Sequence, residues 1–192
     1  MGTPASALVA VVKMGDTVFM HGGIGLAFAN QSIDQINTAV RAALSDLAKA
    51  PGSILEHEQG PLWYRGLAQH PEAEESTHLA NLLKKYGARR IVLGHTPTAG
   101  AVMSRFNGAV ILADVGLARY YGAGLACLVI EGAEIHALHR GTRLQLPTGA
   151  REDQIAYLER VAALEPSPAT VRKLIDRLKA AAKVPVPAGA GK

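Results

Sequence analysis

Short apolar runs separated by turn residues mark the first 140 positions, and the spacing within each run predicts its element. Residues 9–12, 18–20 and 91–93 are continuous stretches of valine, isoleucine, leucine, phenylalanine, methionine and one alanine, which read as short buried strands. Gly15-Asp16 separates the first two of these, and Asn107-Gly108 separates 101–106 from 109–113. Gly132-Ala133 does the same between 125–130 and 134–138. Each pair predicts a hairpin, Asn-Gly most strongly because a tight turn needs positive φ. The C-terminal part of the sheet is therefore expected to be antiparallel.

Helical spacing appears in four places. Ser32 with Gln35 forms a capping box ahead of Ile33, Ile36, Val40, Leu44 and Leu47, and Pro51-Gly52 ends that helix. A second helix is expected to start near Ser76 or Thr77, to carry Leu79, Leu82, Leu83 and Tyr86, and to stop at Gly87. Residues 151–164 and 168–182 read as two more, the last capped by Ser167 with Pro168 at its first position. Between the first two helices, 51–75 is a long loop, a length that in a compact domain usually serves function. The resulting organisation is a domain over 1–140, a helical appendage over 141–182 and a disordered tail over 183–192 built from Ala, Pro, Gly, Lys and Val.

Two of the strands end in a histidine beside glycine: Val18-Phe19-Met20-His21-Gly22-Gly23 and Ile91-Val92-Leu93-Gly94-His95-Thr96-Pro97. Both imidazoles are thereby expected at the rim of a sheet, where metal sites are built. With Gly60-Pro61-Leu62-Trp63-Tyr64-Arg65-Gly66 between them and Asp114-Val115-Gly116-Leu117 after them, these segments resemble the calcineurin-like metallophosphoesterases, nearest to the Shewanella-like protein phosphatases. The order of the four motifs over residues 8–140 carries the resemblance. It implies an α/β fold in which the chain is the C-terminal portion of the superfamily's β-sandwich, flanked by helices and followed by a helical tail. The Asp-x-His, Gly-Asp-x-x-Asp-Arg-Gly and Gly-Asn-His-Glu motifs that precede HGG in that superfamily are absent from the sequence. The chain thus looks like the C-terminal half of such a catalytic domain.

What the resemblance implies for chemistry is a hydrolase acting on phosphomonoesters or phosphoproteins through a dinuclear centre of divalent metal ions, Mn, Fe or Zn. His21 and His95 match ligands of the second metal, and the remaining ligands belong to the missing motifs. Two histidines fall short of the three protein ligands a zinc-like catalytic centre takes, so activity of this chain alone is doubtful. Arg65 is the candidate phosphate clamp, since a guanidinium offers paired donors to phosphate oxygens; alternatively Trp63 and Tyr64 anchor the loop and leave it solvated. Asp114 is either an outer partner of a metal-bound histidine or a turn-capping residue before Gly116. Tyr120 and Tyr121 match an aromatic lip at the site rim, or else they pack an edge.

Composition narrows the rest. The chain has 192 residues, 48% of them hydrophobic, enough for one core with an appendage. Its net charge of +4 is uneven: over 168–192 six basic residues stand against Asp176 alone. That leaves open a non-catalytic scaffold whose basic tail binds an acidic partner, or a truncated product without a role. The tail lacks aromatics for base stacking, so no nucleic-acid signal is present. The apolar stretch 5–12 is too short to span a membrane, and without a signal peptide the chain as given is expected in the cytoplasm. Cys127 is expected to pack as a small apolar residue, and His57, His70 and His78 to be exposed in loops. His136 and His139 have odd spacing and should face opposite sides of a strand. Because the two C-terminal helices carry few large apolar residues, the strands 9–12, 18–20 and 91–93 are expected to lie uncovered, and self-association or pairing with the missing half is expected to cover them.

Overall fold

The computed structural model describes residues 8–46 and 51–181, and within them the chain is a mixed α/β fold of eight strands and five α-helices. Five strands form one sheet in the order β1-β2-β3-β5-β4: β1 (Val11–Met14), β2 (Thr17–Met20), β3 (Arg90–Leu93), β4 (Met103–Arg105) and β5 (Val110–Leu112). β1 and β2 form the hairpin across Gly15-Asp16, and β4 and β5 form the one across Asn107-Gly108. β2 and β3 are parallel, as are β3 and β5. The second sheet is antiparallel, with β6 (Ala126–Glu131), β7 (Glu134–His139) and β8 (Thr142–Gln145) in sequence order.

Alternation along the central strands buries both faces of the larger sheet. Val18, Met20, Ile91, Leu93, Val110 and Leu112 point to one side, where α1 (Ile33–Ser45) and α3 (Glu72–Tyr86) supply Ile36, Val40, Leu79 and Leu82. Val92 and Ile111 point to the other, toward Ala137 and Leu144 of the second sheet. That second core is closed by Tyr157, Leu158 and Val161 of α4 (Arg151–Leu164) and by Val171 and Ile175 of α5 (Ala169–Ala181). The uncovered sheet faces expected from the sequence are therefore not found: the C-terminal helices fold back, and few large residues suffice because the second sheet shares the task. Exposure persists along β1 and just before it, where Val12 and Met14 are 37% and 65% accessible and Val9 is 59% accessible.

Other expectations shift for identifiable reasons, and the stretch 51–75 expected as loop contains the short helix α2 (Gly66–Gln69), whose Leu67 packs into the first core. The capping box at Ser32 forms, with Ser32 Oγ accepting from Gln35 N–H and Gln35 Oε1 from Ser32 N–H; Leu47 lies outside the described residues. α3 begins at Glu72, four residues before Ser76, because Pro71 sets the entry and Glu72, Glu74 and Glu75 complement the positive end of the helix. His78 is consequently buried on α3 and bonded to the Ile24 carbonyl at 2.6 Å, where an exposed loop position was expected. Cys127 is exposed, since Ala126 and Leu128 on edge strand β6 turn inward and the residue between them must turn out. β8 has no sequence counterpart above: only Leu144 of its four residues points into the core. Residues 183–192, expected to be disordered, lie outside the described residues.

Candidate functional site

Parallel pairing of β2 with β3 brings the two histidines together. Met20 is opposite Leu93 in the register, so both chains leave the sheet at the same end, one residue before His21 and two before His95. Gly94 N–H still reaches the Met20 carbonyl at 3.3 Å. The imidazole centroids lie 4.3 Å apart with their planes tilted by 43°. His95 sits at φ 57, a left-handed conformation that few residues other than glycine adopt. That turn throws its ring back toward His21.

A strap of loop crosses the same rim. Gly22 N–H donates to the Pro61 carbonyl at 2.8 Å, and a Cβ on Gly22 would stand 2.9 Å from the Leu62 backbone, so HGG is glycine-rich to let this loop lie flat on it. The strap delivers Trp63, Tyr64 and Arg65. Trp63 Nε1–H donates to the Leu55 carbonyl at 2.7 Å, and its ring meets His95 edge-on at 5.4 Å. Tyr64 O–H is bonded to the Glu75 carboxylate at 2.7 and 2.8 Å, and His70 Nδ1 is bonded to the same carboxylate at 2.8 Å. Burial first, then Glu75, pushes the Tyr64 phenol well above its ordinary range. Gly66 is required here, because a Cβ would collide with the Tyr64 hydroxyl and the Glu75 carboxylate.

With its neighbours anchored, Arg65 is aimed at His95. Nη1 donates to the His95 carbonyl at 3.2 Å and to the Thr96 hydroxyl at 3.3 Å, and Nη2 lies 2.7 Å from His95 Nε2. The alternative of a solvated Arg65 is not what is found, although Trp63 and Tyr64 do anchor the loop. Burial chiefly, then Arg65 and His21, lower the His95 pKa, and Asp114 opposes them. Asp114 itself takes the turn-capping position: its Oδ1 accepts from Gly116 N–H at 3.0 Å. Tyr120 and Tyr121 are 89% and 53% exposed and stack edge-on against one another at 5.0 Å. The ring contacts of the histidine pair among the described residues do not include them.

The structure thus gathers His21, His95 and Arg65, adds Thr96, and leaves Asp114 beside them. It also adds residues that the sequence reading passed over. Glu75 is buried and carries Tyr64 and His70, a role visible only once α3 is started at Glu72. A cavity of about 400 Å³ lies beside Arg65, lined by Glu58, Gln59, Tyr64, His70 and Glu75 among others. A shallow apolar groove of about 430 Å³ runs from Val9, Val12 and Phe19 up to His21 and Leu62. As for a metal, no group of three His, Cys, Asp or Glu residues among those described is placed to hold one. The two imidazoles do not fit a catalytic centre by themselves, the less so with a guanidinium on one of them.

No family profile matches the chain. Pairwise comparison gives a clear likeness. The chain is 28% identical over 126 residues to Shewanella-like protein phosphatase 1 of Plasmodium berghei, covering 61% of this chain and 34% of that protein. It is similar to protein phosphatases. An uncharacterised protein of Schizosaccharomyces pombe is 30% identical over 136 residues, covering 67% of this chain and 41% of that one. Among solved structures, the cold-active protein-tyrosine phosphatase of a psychrophilic Shewanella species superposes with a TM-score of 0.60 at 28% identity, over 72% of this chain and 43% of the other. The chain therefore spans about two fifths or less of the length of its curated relatives. No helix of the described residues is long and apolar enough to cross a membrane.

Proposed function

We propose that this chain contributes the His21–His95–Arg65 portion of a metal-assisted phosphatase site of the calcineurin-like type, within the superfamily's β-sandwich, acting on phosphomonoesters such as phosphoprotein side chains. One observation carries the reading: two histidines and an arginine converge at the open end of parallel strands in a chain similar to protein phosphatases. A dinuclear centre of Mn, Fe or Zn, when bound, shields the phosphoryl oxygens and supplies an ionised water at neutral pH. Because the described residues offer it two imidazoles alone, its other ligands come from outside them. Arg65 is the residue suited to the phosphoryl group, through paired N–H donors on a fork that its anchored neighbours orient. Asp114 tunes His95 electrostatically, and Tyr120 and Tyr121 form the rim.

The test is a chimera in which this chain replaces the matched segment of the Shewanella phosphatase. The expected result is metal-dependent hydrolysis of an aryl phosphate, abolished by His21→Ala with His95→Ala; a folded chimera without activity would refute the reading. The isolated chain with Mn or Zn is expected to be no faster than its own double mutant. The missing third ligand also favours a second reading, a non-catalytic module with a basic C-terminal helix for an acidic partner, and an inactive but folded chimera is the result that would select it.

A further inference from the structure

His95 has a single lone pair at Nε2, and Arg65 already faces it. A guanidinium only donates and stays charged in proteins, so the 2.7 Å contact makes Nε2 the acceptor and places the ring proton on Nδ1. Nη1 spends its donors on the His95 carbonyl and the Thr96 hydroxyl. The Nη1–Nη2 end of the fork is therefore committed to residues 95 and 96, and the Nε edge bonds nothing among the described residues.

We propose that Arg65 and a divalent cation are alternative occupants of the His95 Nε2 lone pair, so that a cation binds this cluster only by displacing the guanidinium. The proposal takes its cation from the phosphatase reading but stands on the arginine contact. A lone pair used in an N–H···N bond cannot also form a metal bond of about 2.0 to 2.1 Å. A cation at that distance would also be pressed against the positive charge of Arg65. The carboxylate of Asp114 opposes this charge only in part, since its Oδ1 is tied to Gly116 N–H, and a third ligand is lacking among the described residues. The guanidinium is also held in place by its own bonds to the His95 carbonyl and the Thr96 hydroxyl, which an incoming cation must break as well.

Trp63 makes the competition measurable. It is the chain's one tryptophan, and its ring lies 5.4 Å from that of His95, so Co²⁺ held at Nε2 quenches its fluorescence. Co²⁺ alone is titrated into the wild-type chain, Arg65→Met and His95→Ala, with circular dichroism confirming that each is folded. Half-quenching is expected at a Co²⁺ concentration at least ten-fold lower in Arg65→Met than in the wild type, with no saturable quenching in His95→Ala. Arg65→Lys, which keeps the charge, is expected to bind Co²⁺ more weakly than the uncharged variant, and Arg65→Gln takes the place of Arg65→Met if the methionine variant does not fold. Equal midpoints for the wild type and the variant lacking the charge would overturn the proposal. A separate titration with inorganic phosphate in EDTA, read from the Arg65 Nε–H resonance, addresses the phosphatase reading: a silent resonance counts against that reading and leaves the Co²⁺ competition standing.

Discussion

Asn37 offers the sharpest stability test, because it performs for β1 what a neighbouring strand would. Its Oδ1 accepts from the N–H groups of Ala10 and Val11 at 2.8 and 3.0 Å, and its Nδ2 donates to the Val11 carbonyl at 2.8 Å. The side chain is on the core face of α1, 5% exposed, and Val11 is 1% exposed. Asn37→Ala strands two groups of Val11 away from water at about 1 to 3 kcal/mol each, and a third, on partly buried Ala10, at less. Better helix propensity of alanine returns about 0.5 kcal/mol. The net expectation is a loss of about 3 kcal/mol, a large share of the roughly 5 to 15 kcal/mol that holds such a domain. In urea, followed by far-ultraviolet circular dichroism, a slope near 2 kcal/mol/M converts this to a midpoint lower by about 1.5 M. Thr38→Ala, on the exposed face of the same turn, should move it by less than about 0.3 M. If Asn37→Ala moves the midpoint no further than Thr38→Ala, the strand-mimic argument is wrong.

Other consequences can be checked in parallel. His139 is fully buried with Nε2 3.0 Å from the Tyr157 hydroxyl, which itself donates to the Val102 carbonyl, so Nδ1 is bare; burial lowers its pKa against an opposing pull from Glu165. The unfolded chain then binds more protons below about pH 6.5, and stability should fall on acidification through that value by up to about 1.4 kcal/mol per unit, flattening below the folded pKa; His139→Phe should reduce that slope in urea melts run from pH 7.5 to 5. Truncation after Arg140 removes β8 and the buried Tyr157, Leu158, Val161, Val171 and Ile175. At about 2 kcal/mol each that costs roughly 10 kcal/mol, so the truncated chain should fail to give a cooperative melt. Gly66→Ala should break the Tyr64–Glu75 bond and cost about 1 to 3 kcal/mol, with the Trp63 emission shifted. Light scattering of the full chain at rising concentration should show self-association through the exposed side chains of Val9, Val12 and Met14, reduced by Val12→Lys.

The histidine pair was legible because its cause is local. A buried strand followed by His and Gly is written within six residues each time, and parallel neighbours in an α/β sheet leave it at the same end. The hairpins and the Ser32 cap were legible for the same reason, since their determinants are two to four residues apart. What escaped depends on distant partners. β8 exists because β7 offers it an edge, and four residues with one apolar side chain announce nothing by themselves. α3 hid its true start because Pro71 and three glutamates look like loop, and with that start went the knowledge that Glu75 and His78 face the interior.

Charge is where local reading failed most instructively. Arg65 presents itself in sequence as a surface arginine beside two aromatics, with a phosphate as its natural partner. In the fold it is bonded across thirty residues to the ring and carbonyl of His95, and that contact follows from two features the sequence does contain. The Tyr64–Glu75 bond pins the residue before it, and Gly66, unable to take a Cβ, pins the residue after it. An arginine whose guanidinium is already bonded to His95 and Thr96 has part of its rotamer freedom spent before it engages an anion. The same fixation makes it a standing cation at the histidine pair. In the proposed function, metal affinity and phosphate affinity at this cluster are set by one side chain acting in opposite senses, so substitution at position 65 should move the two in opposite directions.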